Sequence, residues 1–102
     1  MAYKLRFVQR FQQKNTEAFM ELERKFHEYE QKYPEFPKGR RYTPYMGREP
    51  ENTLIWEAEF DTLEELIKAK QFLENDDRHE DLYRKQVQYF VESYVEIYKS
   101  IV

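Results

Sequence analysis

Charged and phenolic side chains that could bind a small molecule recur in three segments of this 102-residue chain. Arg6 and Arg10 lie in the segment YKLRFVQRF, and Glu57 and Glu59 lie in the segment TLIWEAEF. Arginine forms paired hydrogen bonds with carboxylate or phosphate groups, and a glutamate whose pKa is raised in a closed cavity can act as a base. If the segments are neighbouring strands, they form one ligand-binding face, which consists of Arg6, Arg10, Glu57, Glu59, Tyr94, Glu96 and Tyr98.

The same side chains also fit a simpler interpretation that needs no ligand. Opposite charges that face each other across neighbouring strands form ion-pair ladders, and each pair contributes about 0.2–1 kcal/mol. Such a ladder is a common arrangement, and it either stays solvated or bridges two copies of the chain. The residues alone leave the ligand-binding face and the charge ladder both open, and they assign no catalytic residue.

Histidine and the acidic residues offer little further chemistry. His27 flanks a helical stripe of apolar residues, and His79 stands in the first turn of a later helix, where we expect a solvated surface histidine. Its neighbours have neither the alternating ligand spacing nor the central glycine of a calcium loop. An acidic helix start, which stabilises the helix dipole, explains them without a metal. These acidic neighbours are Asp76, Asp77, Glu80 and Asp81.

Composition argues against several classes of partner. The net charge is −3 with both signs interspersed, and the basic segment KGRRY is followed by a strand whose Glu57 and Glu59 would repel phosphate, so we expect no nucleic acid. No apolar run approaches the length of a membrane span, so we expect no membrane partner. The chain has no cysteine, which excludes disulfides and thiolate metal sites and fits a cytoplasmic protein.

The spacing of apolar residues predicts the elements that position these side chains. Residues 3–11, 53–60 and 93–102 alternate in polarity and predict strands, and the proline-containing segment RRYTPYM predicts a short edge strand. Three- and four-residue steps predict a helix with Phe19, Leu22, Phe26, Tyr29 and Tyr33, which Asn15 or Thr16 can cap. A capping box at Thr62 and Glu65 starts a second helix with Leu63, Leu66, Ile67 and Leu73. Asp77 and Glu80 start a third, with Leu82, Val87, Phe90 and Val91.

The resulting order predicts one α+β domain over residues 1–102 with a ferredoxin-like βαββα(α)β arrangement and a four-stranded antiparallel sheet. The first and third strands are expected in the centre of the sheet. Glu57 and Glu59 then lie on the face opposite the helices, beside Arg6 and Arg10. The face under the helices is expected to carry Leu5, Phe7, Leu54, Trp56, Phe60, Val95 and Ile97.

Three segments resemble a known family: NTLIWEAEFDTLEE, ENDDRHEDLYRK and SYVEIYKSI. They are similar to the NIPSNAP-like group of the dimeric α/β-barrel superfamily, and the similarity covers roughly residues 39–102. The resemblance implies a homodimer in which two sheets face each other and enclose a barrel. It also implies a small polar or aromatic ligand in that barrel, with a non-catalytic dimeric scaffold as the alternative.

Neighbouring members of that superfamily include haem-degrading and cofactor-independent monooxygenases, which makes a monooxygenase a second alternative. The haem-degrading relatives use a helical histidine as axial ligand, and His79 would hold that position here. They also use an asparagine on the first strand and a tryptophan in the preceding helix, and this sequence has neither. We therefore expect no cofactor.

Overall fold

The structure is a computed structural model that describes residues 2–101. Met1 and Val102, the ends of the predicted domain and of the predicted last strand, lie outside the described residues. Short 3₁₀ turns precede the first helix and follow the last one. The strands are β1 (Tyr3–Phe11), β2 (Arg40–Tyr42), β3 (Thr53–Phe60) and β4 (Phe90–Lys99), and the helices are α1 (Thr16–Lys32), α2 (Leu63–Asn75) and α3 (Asp77–Gln86).

The four strands form one antiparallel sheet in the order β2-β3-β1-β4, so the first and third strands are central, as predicted. Leu5 pairs with Ala58 on one side and with Ile97 on the other, and its neighbour Arg6 pairs with Glu57 and Glu96. Because successive side chains in a strand point to opposite faces, the apolar set lies under the helices and the charged set on the open face.

Side chains cap the N-termini of α2 and α3 by hydrogen bonds, but none of the described side chains caps α1 in this way. The Thr62 hydroxyl accepts a hydrogen bond from the Glu65 backbone N–H at 3.2 Å, which confirms the start of α2. The Asp76 carboxylate accepts from the backbone N–H groups of Arg78 and His79 and thereby caps α3. Asn15 occupies the capping position of α1, but its side chain makes no capping hydrogen bond and donates to Gln12 instead.

The apolar core between the sheet and the helices is divided into two clusters. The first core cluster consists of Leu5, Phe36, Trp56, Ala58, Leu66 and Leu73. The second core cluster consists of Phe11, Phe19 and Leu54, and the rings of Phe11 and Phe19 stack with centroids 4.2 Å apart. Helix α1 joins the two, because its Phe19 belongs to the second cluster and its Tyr29 packs against the first.

One prediction about the last segment is wrong, and a second is confirmed only in part. Phe90 and Val91 were expected in the third helix, but α3 ends at Gln86 and Phe90 already pairs with Phe11 as the start of β4. Val95 and Ile97 lie on the predicted face of the sheet, yet they remain 41% and 43% exposed. The physical reason is that α2 packs against β1 and β3, which leaves the edge strand β4 only partly covered.

Candidate functional site

The open face of the sheet carries the ion pairs that the sequence predicts. Arg6 Nε donates to the Glu57 carboxylate at 2.7 Å, and the Lys4 ammonium lies 3.5 Å from the same group. The Arg6 guanidinium also lies over the Tyr98 ring, 5.0 Å from its centroid. Tyr98 donates its hydroxyl hydrogen to Glu96 at 2.9 Å, and this hydrogen bond raises the pKa of the phenol. Four of the seven predicted site residues are therefore brought together.

Of the other three predicted residues, Glu59 contacts this group only through Lys4, at 3.9 Å, and the other two have different partners. Arg10 donates to Glu92 at 3.0 Å, and Glu59 is largely exposed. Tyr94 donates to Glu49 of the loop before β3 at 2.9 Å, and burial, followed by this hydrogen bond, raises the pKa of its phenol. Two buried atoms at this end of the face, Arg10 Nε and Thr53 Oγ1, have no hydrogen-bond partner among the residues that the structure describes.

A cavity of about 310 Å³ lies on the other side of the sheet, between the strands and the helices. We call it the interlayer cavity. Its aromatic walls are Phe7, Phe26, Trp56 and Tyr83, and its polar lining includes Glu23, Glu30, Arg41, His79 and Gln86. None of these polar residues belongs to the site that the sequence predicts.

A buried ion cluster forms the polar part of this lining. Arg41, on β2, lies between two carboxylates of α1 that are only 5% and 4% exposed as residues, Glu23 and Glu30. Its Nε donates to Glu23 at 2.6 Å, its Nη1 donates to Glu30 at 3.0 Å, and its Nη2 donates to the second oxygen of Glu30. The arrangement satisfies both carboxylates but contains two negative charges and one positive charge.

Two further side chains complete the cluster. The Trp56 indole N–H donates to Glu30 at 3.2 Å, and the Gln86 amide nitrogen donates to Glu23 at 2.9 Å. Gln86 is fully buried, and its amide oxygen has no hydrogen-bond partner among the described residues. A carboxylate only accepts hydrogen bonds, so Glu23 fixes the orientation of the amide. The unpaired atom is therefore a hydrogen-bond acceptor, and it belongs to a residue that lines the cavity.

Burial and neighbouring charges together set the protonation states of Arg41 and His79. Burial opposes the charge of Arg41, but the hydrogen bond to Glu30 and the charges of Glu23 and Glu30 outweigh it and raise the pKa of the guanidinium. Burial lowers the pKa of His79; Glu30 and Asp76 oppose this effect, and Arg41 adds to it. The cavity is thus lined by a charged guanidinium and a neutral imidazole at neutral pH.

The prediction of a solvated His79 is wrong. The residue is half-buried, its ring packs on Phe26 with centroids 4.7 Å apart, and it lines the interlayer cavity. The acidic neighbours that suggested a solvated position include Asp76, which turns back to cap the helix. Neither imidazole nitrogen of His79 has a hydrogen-bond partner within residues 2–101.

A spacing signal for this site was present in the sequence. Phe19, Glu23, Phe26 and Glu30 follow one another at steps of four, three and four residues, which is the repeat of a single helix face. The sequence interpretation placed Leu22 rather than Glu23 on that face because it selected apolar residues only. Glutamates within an apolar stripe indicate buried carboxylates that require a cation, and Arg41 supplies it.

Comparison with known proteins finds solved structures with a similar fold but no similar sequence. The sequence matches neither a protein-family model nor a curated protein at a significant level. A NIPSNAP family protein from Agrobacterium tumefaciens superimposes with a TM-score of 0.78 at 14% identity, over 97% of this chain and 92% of the other. A NIPSNAP-like domain protein from Burkholderia xenovorans gives a TM-score of 0.76 at 14% identity, over 98% of this chain and 85% of the other.

This chain has the fold of the NIPSNAP proteins. An antibiotic biosynthesis monooxygenase also superimposes, with a TM-score of 0.71 at 9% identity over 98% of this chain and 99% of the other. The ferredoxin-like α+β arrangement is thus found both in NIPSNAP proteins and in an antibiotic biosynthesis monooxygenase. Function has to be inferred from the site itself.

The part of the chain that the structure describes has neither a metal-binding cluster nor a membrane-spanning helix. Residues 2–101 contain no cluster of three or more His, Asp or Glu side chains that could hold a metal ion. No helix within the same range is both long and apolar enough to cross a bilayer.

The lowered pKa of His79 predicts a loss of stability in acid. The unfolded imidazole takes up a proton near its ordinary pKa of 6.5, whereas the folded one resists protonation. The free energy of unfolding therefore falls as the pH is lowered from about 6.5 towards the folded-state pKa, by about 1.4 kcal/mol for each unit of difference.

Urea denaturation at pH 7.5 and pH 5 tests this expectation. The difference in stability between the two pH values should shrink in His79→Gln. It should remain unchanged in His27→Gln, the matched control, because His27 is exposed on α1. Equal pH dependence in the wild type and His79→Gln would contradict the assignment.

Proposed function

We propose that this chain is a NIPSNAP-like protein that binds a small aromatic molecule in the interlayer cavity. The observation that carries the proposal is Gln86, a fully buried residue that lines a cavity of about 310 Å³ and whose amide oxygen has no hydrogen-bond partner among the described residues. Ligand sites begin at roughly 300 Å³ and combine mostly apolar walls with a few polar groups that fix orientation. The lining of the interlayer cavity has this composition, because aromatic side chains form its apolar walls and the cluster around Arg41 supplies the polar groups.

The cavity also has a direct optical reporter. Trp56 is the only tryptophan of the chain, and its indole ring lines the cavity. A ligand that enters should change the intensity or wavelength of tryptophan fluorescence, and it should raise the melting temperature. At 100 times its Kd, a ligand adds about 2.7 kcal/mol to the free energy of unfolding. In a panel of small aromatic compounds of different charge, the compound that binds most tightly should therefore change the fluorescence of Trp56 and raise the melting temperature.

A variant that fills the cavity tests the location of the ligand. Ser93 lies on β4 and lines the interlayer cavity, and phenylalanine is favoured in strands. We expect Ser93→Phe to weaken binding at least about tenfold, or about 1.4 kcal/mol, while the chain stays folded.

Val91→Phe is the matched control, because Val91 is exposed on the same strand and does not line the cavity. It should retain the wild-type affinity. Unchanged binding in Ser93→Phe, or failure of every aromatic compound to bind the wild type, would overturn the proposal.

The open face supports a second candidate, pairing of two copies of the chain. We propose a cytoplasmic homodimer in which two open faces enclose a barrel, with or without a polar ligand held by Arg6, Arg10 and their ladder partners. Tyr42 and Tyr98 lie on this face and are 46% and 44% exposed, which favours a partner at this surface, because tyrosine is enriched at protein interfaces. Light scattering at micromolar concentration tests it, and the mass of one 12.8 kDa chain would exclude the dimer.

Haem does not fit the interlayer cavity. Its carboxylate groups would require cationic partners, and the only guanidinium in the lining, that of Arg41, is already bound by Glu23 and Glu30. We propose no cofactor for this site.

A further inference from the structure

The charge of the interlayer cavity narrows the class of ligand, on the condition that the proposed function is correct. We infer that the cavity binds an aromatic amine in its protonated form, with the ring between the aromatic walls and the ammonium group on the Gln86 carbonyl oxygen. Three independent observations lead to this class of compound.

The first observation is the charge of the lining. Four carboxylates and a single guanidinium line the cavity: Glu23, Glu30, Glu74, Glu80 and Arg41. Glu74 and Glu80 are paired on the surface with Lys70 and Arg84, neither of which lines the cavity. The two inner carboxylates share Arg41 and are almost fully buried. A buried charge is stable only when it is compensated, so the remaining negative charge favours a cation in the cavity.

The second observation is the type of hydrogen bond that remains unfilled. The Gln86 carbonyl oxygen accepts, and the donors that face the carboxylates, Trp56 Nε1 and the Arg41 nitrogens, are already used. The Gln86 oxygen therefore favours a ligand that donates a hydrogen bond. A primary ammonium carries three donor hydrogens and a positive charge, whereas a carboxylate or phosphate carries neither.

The third observation is the aromatic wall. Phe7 and Trp56 lie together on the sheet with ring centroids 5.5 Å apart, and Phe26 and Tyr83 contribute from the helices. Aromatic faces attract cations and pack against other rings, so a ligand with one ring and one ammonium group satisfies both kinds of wall. The lowered pKa of His79 keeps that side chain from competing as the cation at neutral pH.

Four probes that share a phenyl ring separate the effects of charge and of hydrogen-bond donors on binding. They are 2-phenylethylamine, its trimethylammonium derivative, 2-phenylethanol and 3-phenylpropanoate, each titrated against Trp56 fluorescence at pH 7. We expect the primary amine to bind at least about tenfold more tightly than the alcohol, and the carboxylate to bind most weakly. The quaternary derivative should bind less tightly than the primary amine, because it has no N–H donor.

A substitution at the acceptor gives a sharper test. Gln86→Met keeps a similar volume and removes the carbonyl oxygen, so it should abolish the preference for the primary over the quaternary amine. If that variant does not fold, Glu80→Gln on the exposed rim should reduce the preference of the wild-type cavity for the amine over the alcohol. Gln88→Met is the matched control, because Gln88 is exposed and does not line the cavity.

The outcomes separate this inference from the proposed function. If the alcohol or the carboxylate binds as tightly as the amine and Ser93→Phe blocks that binding, the cavity is a ligand site but the inference about its class is wrong. If the primary amine shows no preference over the quaternary one in the wild type, the role of Gln86 is wrong. If no probe of any charge binds, both proposals fall together.

Discussion

Replacement of Arg41 by methionine is expected to lower the free energy of unfolding by about 3–5 kcal/mol, the range for removal of one partner from a buried ion pair. The guanidinium donates to both Glu23 and Glu30, and its loss would leave two nearly buried carboxylates without a cation. Methionine retains much of the apolar side-chain volume, so the loss would report the charge rather than a void. Urea denaturation followed by far-ultraviolet circular dichroism measures it.

Two further variants test the cause. Arg40→Met, on the neighbouring exposed position of β2, should change the stability by less than about 0.5 kcal/mol. The triple variant Glu23→Gln, Glu30→Gln, Arg41→Met removes every charge of the cluster and should recover part of the loss, because no ion then remains unpaired. A loss below about 1 kcal/mol in Arg41→Met would show that the carboxylates reach water or become protonated at little cost.

Gly39→Ala is expected to destabilise the fold by about 1–3 kcal/mol, the range for overpacking of a well-packed core. A Cβ atom at this position would lie 2.1–2.4 Å from three atoms of the Trp56 ring, which is inside van der Waals contact. The indole has little freedom to move away, because its N–H is bound to Glu30 and the residue is 6% exposed. The variant should also shift the fluorescence of Trp56 and weaken any ligand bound in the cavity.

The second glycine of the chain is the matched control for this substitution. An added Cβ at Gly47 meets no atom within 4 Å, and neither glycine has a positive φ. Gly47→Ala should therefore leave the stability unchanged or raise it by up to about 1 kcal/mol, through lower entropy of the unfolded chain. Similar melting temperatures for the two variants would contradict the close packing of Gly39 on Trp56.

Local sequence signals predict most of the fold. The alternation in TLIWEAEF gives β3 with the bounds that the structure has, and the pair of Thr62 and Glu65 locates the start of α2. The same alternation places Arg6 beside Glu57 on the open face. These features follow from the two-residue repeat of a strand and from hydrogen bonds over three residues, so a short window of sequence contains all the information needed.

The candidate site in the cavity depends on contacts between distant segments, and for that reason the sequence did not predict it. The bond between Gln86 and Glu23 joins residues 63 positions apart, and Arg41 reaches Glu23 from 18 positions away. Each of these side chains is typical of the surface when it is considered alone. The end of α3 was placed too late for a similar reason, because pairing of Phe90 with Phe11 overrides the helical spacing of the local residues.

The division of the core into two clusters has a consequence for motion. Phe19 anchors the first turns of α1 in one cluster, and Tyr29 holds the later turns on the other. Between these anchors, the side chains of Glu23 and Phe26 line the interlayer cavity. In this middle stretch Phe26 packs on His79 of α3, and Glu23 accepts hydrogen bonds from Arg41 and Gln86. Apolar packing, which makes protein interiors stiff, therefore limits motion at the two anchors, whereas motion of the middle of α1 requires the buried ion cluster to rearrange.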